Sequence, residues 1–121
     1  MSGESPIFTQ TYDLLHFLLP LAGQFPRTHR SGMARRMPEV AFELQRLLLR
    51  AAKRPDSGPE LLREADAALA ELRILARLAR DLQLLSFAQY EEISRRSAEI
   101  GRLLGGWLRR IDTLSRAPAP G

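Results

Sequence analysis

Apolar residues recur along this chain at intervals of three and four, and no stretch alternates as a half-buried strand would, so the pattern predicts helices only. Local chemistry bounds four of them. The first runs from about Thr9 to Gln24 and stops at Phe25-Pro26, because proline disfavours helix in the residue before it. The second follows Arg27-Thr28 and reaches Lys53, where Arg54-Pro55-Asp56-Ser57-Gly58 breaks it. Pro59 suits the first turn of the third, with Ser57 or Gly58 as cap, and that helix continues to about Leu82. Ser86-Phe87-Ala88-Gln89 has capping-box spacing and opens a fourth helix running to about Leu114. Pro20 and Pro38 lie inside the first and second patterns. Each removes an amide donor and is expected to kink or shorten its helix, so the second is expected to begin in earnest only near Pro38.

Placing residues at 100° steps identifies the inward faces. On the third helix Leu61, Leu62, Ala65, Ala68, Leu69, Leu72, Leu75, Ala76 and Ala79 share one arc. On the fourth, Tyr90, Ile93, Ile100, Leu104, Trp107, Leu108 and Ile111 do the same, and Met33, Met37, Val40, Leu44, Leu47 and Leu48 form the apolar face of the second. Long helices joined by short connections imply antiparallel neighbours. The expected architecture is therefore all-α, an up-down-up-down four-helix bundle over residues 9–114, with a flexible stretch at 1–8 and a disordered tail at 115–121.

Composition supports this reading: 121 residues suffice for one core, and 22 leucines against one valine favour helix. Cysteine is absent, which removes disulfides, thiolate metal sites and cysteine nucleophiles, and makes a reducing cytoplasm the expected compartment. The start of the chain lacks the basic region of a secretory signal. Leu14–Ala22, the richest apolar run, is about half the ~20 residues a membrane span needs. No membrane association is expected.

The formal net charge is +4, and 17 of the 18 basic residues are arginine. The excess is concentrated: residues 27–54 carry +6, residues 83–121 carry +2, and residues 1–26 and 55–82 carry −2 each. Within the basic segment Arg35, Arg36, Arg46, Arg50, Lys53 and Arg54 fall on one side of the helical wheel, and Arg27 and Arg30 add charge at its start. A row of planar arginine forks at one-turn spacing can follow a phosphate backbone without reading bases. The same residues can instead pair with Glu39 and Glu43 as ordinary surface contacts, Glu39 with Arg35 and Glu43 with Arg46. Arg73, Arg77 and Arg80 form a second stripe on the third helix. Arg95, Arg102 and Arg109 form a third, in which Glu91 and Glu99 are expected to neutralise Arg95 and Arg109 has no such partner.

Two apolar pairs lie off the inward arcs: Phe42 with Leu49, and Ile74 with Leu78. Either they form a contact surface for another chain, self-association being the simplest case, or a small rotation of each helix buries them. Gly101, Gly105 and Gly106, costly inside a helix, point to close approach by a neighbouring helix or subunit, or to a local kink.

Enzyme chemistry finds little support. No nucleophile-elbow, phosphate-loop or zinc-protease motif is present, and the helices lack the Glu-x-x-His pairs of di-iron bundles. With His16 and His29 as the only histidines, no metal or cofactor is expected.

Tyr12-Asp13-Leu14-Leu15, Leu19-Pro20, Phe25-Pro26-Arg27, Arg36-Met37, Leu72-Arg73, Leu84-Leu85-Ser86 with Tyr90, and Ile100-Gly101-Arg102-Leu103-Leu104-Gly105-Gly106-Trp107-Leu108 occur in this order and spacing. Together they resemble the Avd family, the accessory variability determinant proteins of diversity-generating retroelements. That family is similar to the four-helix-bundle proteins of intervening sequences in large-subunit ribosomal RNA genes. Ser31 and Pro38 depart from the pattern. The resemblance implies a non-catalytic four-helix bundle that forms a ring-like homopentamer, binds RNA and DNA through basic surface, and partners a reverse transcriptase in mutagenic cDNA synthesis.

On these grounds Arg27, Arg30, Arg35, Arg36, Arg46, Arg50, Arg73, Arg77 and Arg80 are the candidate nucleic-acid contacts. Phe42, Leu49, Ile74, Leu78, Gly105 and Gly106 are the candidate oligomer or partner contacts. The alternatives are a ribosomal intervening-sequence protein and a protein-binding oligomeric scaffold without a nucleic-acid role.

Overall fold

The computed structural model describes residues 5–116, and within them it contains four α-helices and no strand. They are α1 (Pro6–Gly23), α2 (Met33–Lys53), α3 (Gly58–Asp81) and α4 (Phe87–Arg116). Single 3-10 turns at Arg27–His29 and Pro55–Ser57 precede α2 and α3. The stretches expected at 1–8 and 115–121 fall, for residues 1–4 and 117–121, outside the described residues; 6–8 and 115–116 are helical.

Each boundary has a local cause. Pro6 sits in the first turn of α1, where a missing N–H costs nothing. Arg54, with φ −130° and ψ 75°, ends α2 ahead of Pro55. Ser57 occupies the N-cap position of α3 but makes no side-chain cap. Ser86 does cap α4: its Oγ accepts the Gln89 N–H at 3.1 Å, and Gln89 Oε1 accepts the Ser86 N–H at 2.9 Å. Between α3 and α4, Gln83 adopts φ 64°, so that Leu84 N–H reaches the Ala79 carbonyl at 2.8 Å and Gln83 N–H the Arg80 carbonyl at 2.9 Å.

Pro20 and Pro38 do not shorten their helices. α2 begins at Met33, five residues before Pro38, and α1 runs three residues past Pro20. In α2 the Arg35 and Arg36 amides bond to the Gly32 carbonyl at 3.1 and 2.8 Å, and buried Met33 and Met37 anchor the turn on the core. Packing thus outweighs the single hydrogen bond that proline removes.

The helices surround one core, in which Leu14, Leu18, Met37, Leu44, Leu48, Leu62, Leu72, Ile93, Ile100 and Leu104 are fully buried. Each helix packs against two others in the cyclic order α1, α2, α3, α4, and α2 meets α3 most extensively. The contact partners of α1 with α4, and those of α2 with α3, run in reverse order along the two helices. Phe8 meets Trp107, whereas Phe17 lies under Arg96; Ala51 lies beside Gly58, whereas Arg36 reaches Glu71. The inward arcs of α3 and α4 are buried or half-buried as their periodicity requires. Two polar residues share the core: Thr11, whose hydroxyl donates to the Ile7 carbonyl, and Ser97, whose hydroxyl has no hydrogen-bond partner.

Candidate nucleic-acid interface

The arginines of α2 divide by what they meet. Arg35 Nε donates to Glu39 Oε2 at 3.2 Å, and Arg46 binds Glu43 through two hydrogen bonds of 3.1 and 2.9 Å. These are the local contacts that helical spacing allows. The Arg46 hydrogen bond holds the Glu43 carboxyl below the usual carboxylate range, and Glu43 in turn raises the Arg46 guanidinium. Arg36 crosses to α3, where both Nε and Nη2 donate to Glu71 Oε2. On α3, Arg80 donates to Asp81 at 3.3 and 3.0 Å and lies 4.5 Å from the centre of the Tyr90 ring, a cation–π arrangement.

The other five candidates, Arg27, Arg30, Arg50, Arg73 and Arg77, have no carboxylate within 4 Å among the described residues. All five are exposed or half-buried. They do not form one band. Arg73 lies over α4, with Nη1 3.9 Å from where a Gly101 Cβ would stand, so it belongs with Arg80 to the α3–α4 seam. Arg36 belongs to the α2–α3 seam.

On α4, Arg95 pairs with Glu92 in place of the expected Glu91 and Glu99. Glu92 stands three residues before Arg95 and four before Arg96, and its half-buried carboxylate serves both. Glu99 turns to Arg102 instead, at 2.6 and 3.0 Å, and that hydrogen bonding lowers its pKa. A carboxylate preceding its arginine is the better helical orientation, which favours Arg102 over Arg95 as the partner of Glu99. Arg109 and Arg110 have no carboxylate within 4 Å among the described residues.

The apolar candidates are exposed: Phe42 47%, Leu49 46%, Ile74 67% and Leu78 44%. Phe42 lies beside Ala68 in a shallow groove between α2 and α3 whose rim carries Arg36, Arg46, Glu43 and Glu71. Of the glycines, Gly101 has the close helical neighbour, Leu69 Cδ2 at 3.4 Å from a would-be Cβ. At Gly105 and Gly106 a Cβ would meet only Arg109 and Arg110 of the same helix. Sequence reasoning missed Glu71 as the partner of Arg36, because 35 residues separate them and no periodicity links them.

Among the described residues no three acidic or histidine side chains converge on a metal position, and no helix is long and apolar enough to cross a membrane. The arrangement offers to an anion guanidinium groups that have no carboxylate within 4 Å among the described residues, with further arginines already engaged by carboxylates. The sequence model of the family described as bAvd-like matches residues 7–111. No curated protein matches the chain.

Proposed function

This chain belongs to the bAvd-like family, and on that basis we propose that it is a non-catalytic accessory protein of a diversity-generating retroelement. In this reading it binds RNA and DNA through basic surface and associates with the reverse transcriptase for mutagenic cDNA synthesis in the cytoplasm. The observation that carries the nucleic-acid part is the set of five candidate arginines with no carboxylate within 4 Å among the described residues, three of which lie in the +6 segment. Free guanidinium groups gain phosphate contacts without first releasing a carboxylate. The reversed order of contact partners between α1 and α4 and between α2 and α3 supports an up-down-up-down bundle. Exposed Phe42, Leu49, Ile74 and Leu78 support self-association of such bundles, and the ring-like homopentamer is what the family resemblance implies. The same apolar surface is what favours the second reading, an oligomeric scaffold that docks protein alone.

The test is a titration of labelled RNA and DNA with the wild type and with Arg27, Arg30 and Arg50 reversed to Glu, across a salt series. Log affinity should fall with log salt at a slope of about −0.7 to −0.9 per neutralised phosphate, and the reversed variant should bind more weakly with a flatter slope. Equal binding by both proteins at every salt concentration excludes the reading.

A further inference from the structure

Trp107, the chain's one tryptophan, meets Phe8 edge to face, with ring centres 6.4 Å apart and planes at 73°. The two rings line a cleft of about 520 Å³ between the start of α1 and the last turns of α4. That size lies within the range of about 300–1,000 Å³ typical of small-molecule sites. Its rim carries Arg102, Arg109 and Arg110, and among the described residues no acidic one lines it. Glu99 already holds Arg102, whereas Arg109 and Arg110 are without a carboxylate among the described residues.

Gly106 keeps the cleft open. A Cβ there would meet Arg110 Nη1 at 3.6 Å and Arg109 Nη2 at 3.8 Å, and a longer side chain would extend into the space between them. Among the described residues no atom of a neighbouring helix lies within 4 Å of that Cβ.

Aromatic rings beside two guanidinium groups that have no carboxylate within 4 Å among the described residues fit a ligand that is flat and apolar at one end and anionic at the other. We propose that the cleft accepts one nucleotide of a single-stranded nucleic acid, the base lying against the Trp107–Phe8 surface and the phosphate between Arg109 and Arg110. This rests on the nucleic-acid reading above and adds to it the strandedness and the contact point. In a duplex the base faces are stacked on one another, so only an unpaired base can present its face to a side chain.

Trp107 reports on its own site. Labelled short oligo(dT), an abasic strand of equal length and a duplex are titrated into the full-length protein, with label anisotropy reading binding and tryptophan fluorescence reading contact at the cleft. Oligo(dT) should quench Trp107 saturably and bind about tenfold more tightly than the abasic strand, which, like the duplex, should bind without quenching. Gly106→Leu fills the cleft on a residue that favours helix. It should abolish the quench and bring oligo(dT) down to the affinity of the abasic strand, with a melting temperature no lower than wild type. The Arg109→Gln, Arg110→Gln double variant should weaken oligo(dT) in the same assay without touching the rings.

Equal quenching by the abasic strand, by inorganic phosphate or by an acidic peptide overturns the proposal, as does an unaltered quench in Gly106→Leu. Anisotropy that rises with no change in Trp107 overturns the cleft and leaves the arginine surface standing. No binding of any strand overturns the nucleic-acid reading itself.

Discussion

Arg36 of α2 donates two hydrogen bonds, from Nε at 2.9 Å and Nη2 at 2.6 Å, to a single carboxylate oxygen of Glu71 on α3. The same guanidinium lies 3.9 Å from Glu39, so two carboxylates already offset its charge. Glu71→Gln should release Arg36 for phosphate and raise affinity for labelled RNA by a few fold, with the gain vanishing at high salt. Because both side chains are about half exposed (52% and 42%), the pair should contribute less than about 1 kcal/mol to stability, read as a small shift in the denaturant midpoint. Unchanged affinity would place Arg36 off the binding surface.

Glu43 and Glu99 are held below the ordinary carboxylate range by hydrogen bonds from Arg46 and Arg102. A carboxyl whose pKa is lower folded than unfolded stabilises the fold above the unfolded value of about 4.3, and that contribution is lost as pH falls through the folded value. Melting temperature should therefore drop as pH is lowered from about 5 to about 3. The Glu43→Gln, Glu99→Gln double variant should show a shallower drop. Both carboxylates lie at the surface, so high salt should blunt the difference.

Gln83 stands in the left-handed region at φ 64°, a conformation that costs a residue with a Cβ about 1–2 kcal/mol. Gln83→Gly keeps both amide hydrogen bonds that close α3. It should raise unfolding free energy by about 1 kcal/mol after the entropy lost by glycine is counted. Chemical denaturation with an unchanged m-value would establish it.

The Ser97 hydroxyl is wholly buried without a partner, so Ser97→Ala should be neutral or stabilise by about 1 kcal/mol. Leu104→Ala, a few residues on in the same helix and equally buried, should cost about 2–5 kcal/mol. A loss of stability in Ser97→Ala would mean that the hydroxyl has a partner after all.

Much of the fold was legible because its determinants are local. Apolar spacing named the buried arcs of α2, α3 and α4, and the Ser86–Gln89 reciprocal cap was readable from four residues. Pro38 misled because the loss of a hydrogen bond is visible in sequence, whereas the burial of Met33 and Met37 that compensates for it is not. The glycines of α4 look alike in sequence, yet only Gly101 meets a packed neighbour.

The sequence by itself determined four helices, one leucine-rich core and a basic segment at 27–54, and it allowed the short-range pairs Arg35–Glu39 and Arg46–Glu43, which the structure forms. Only the tertiary structure decided that Arg36 meets Glu71, that Arg63 lies 3.7 Å from Asp112, that Arg73 falls on a different seam from Arg36, and that Phe8, Trp107, Arg109 and Arg110 border one cleft. The reason is range. Helical periodicity fixes neighbours three or four residues apart, whereas the partner of a charge or an aromatic ring across a seam depends on how the helices stack, and the core packing sets that.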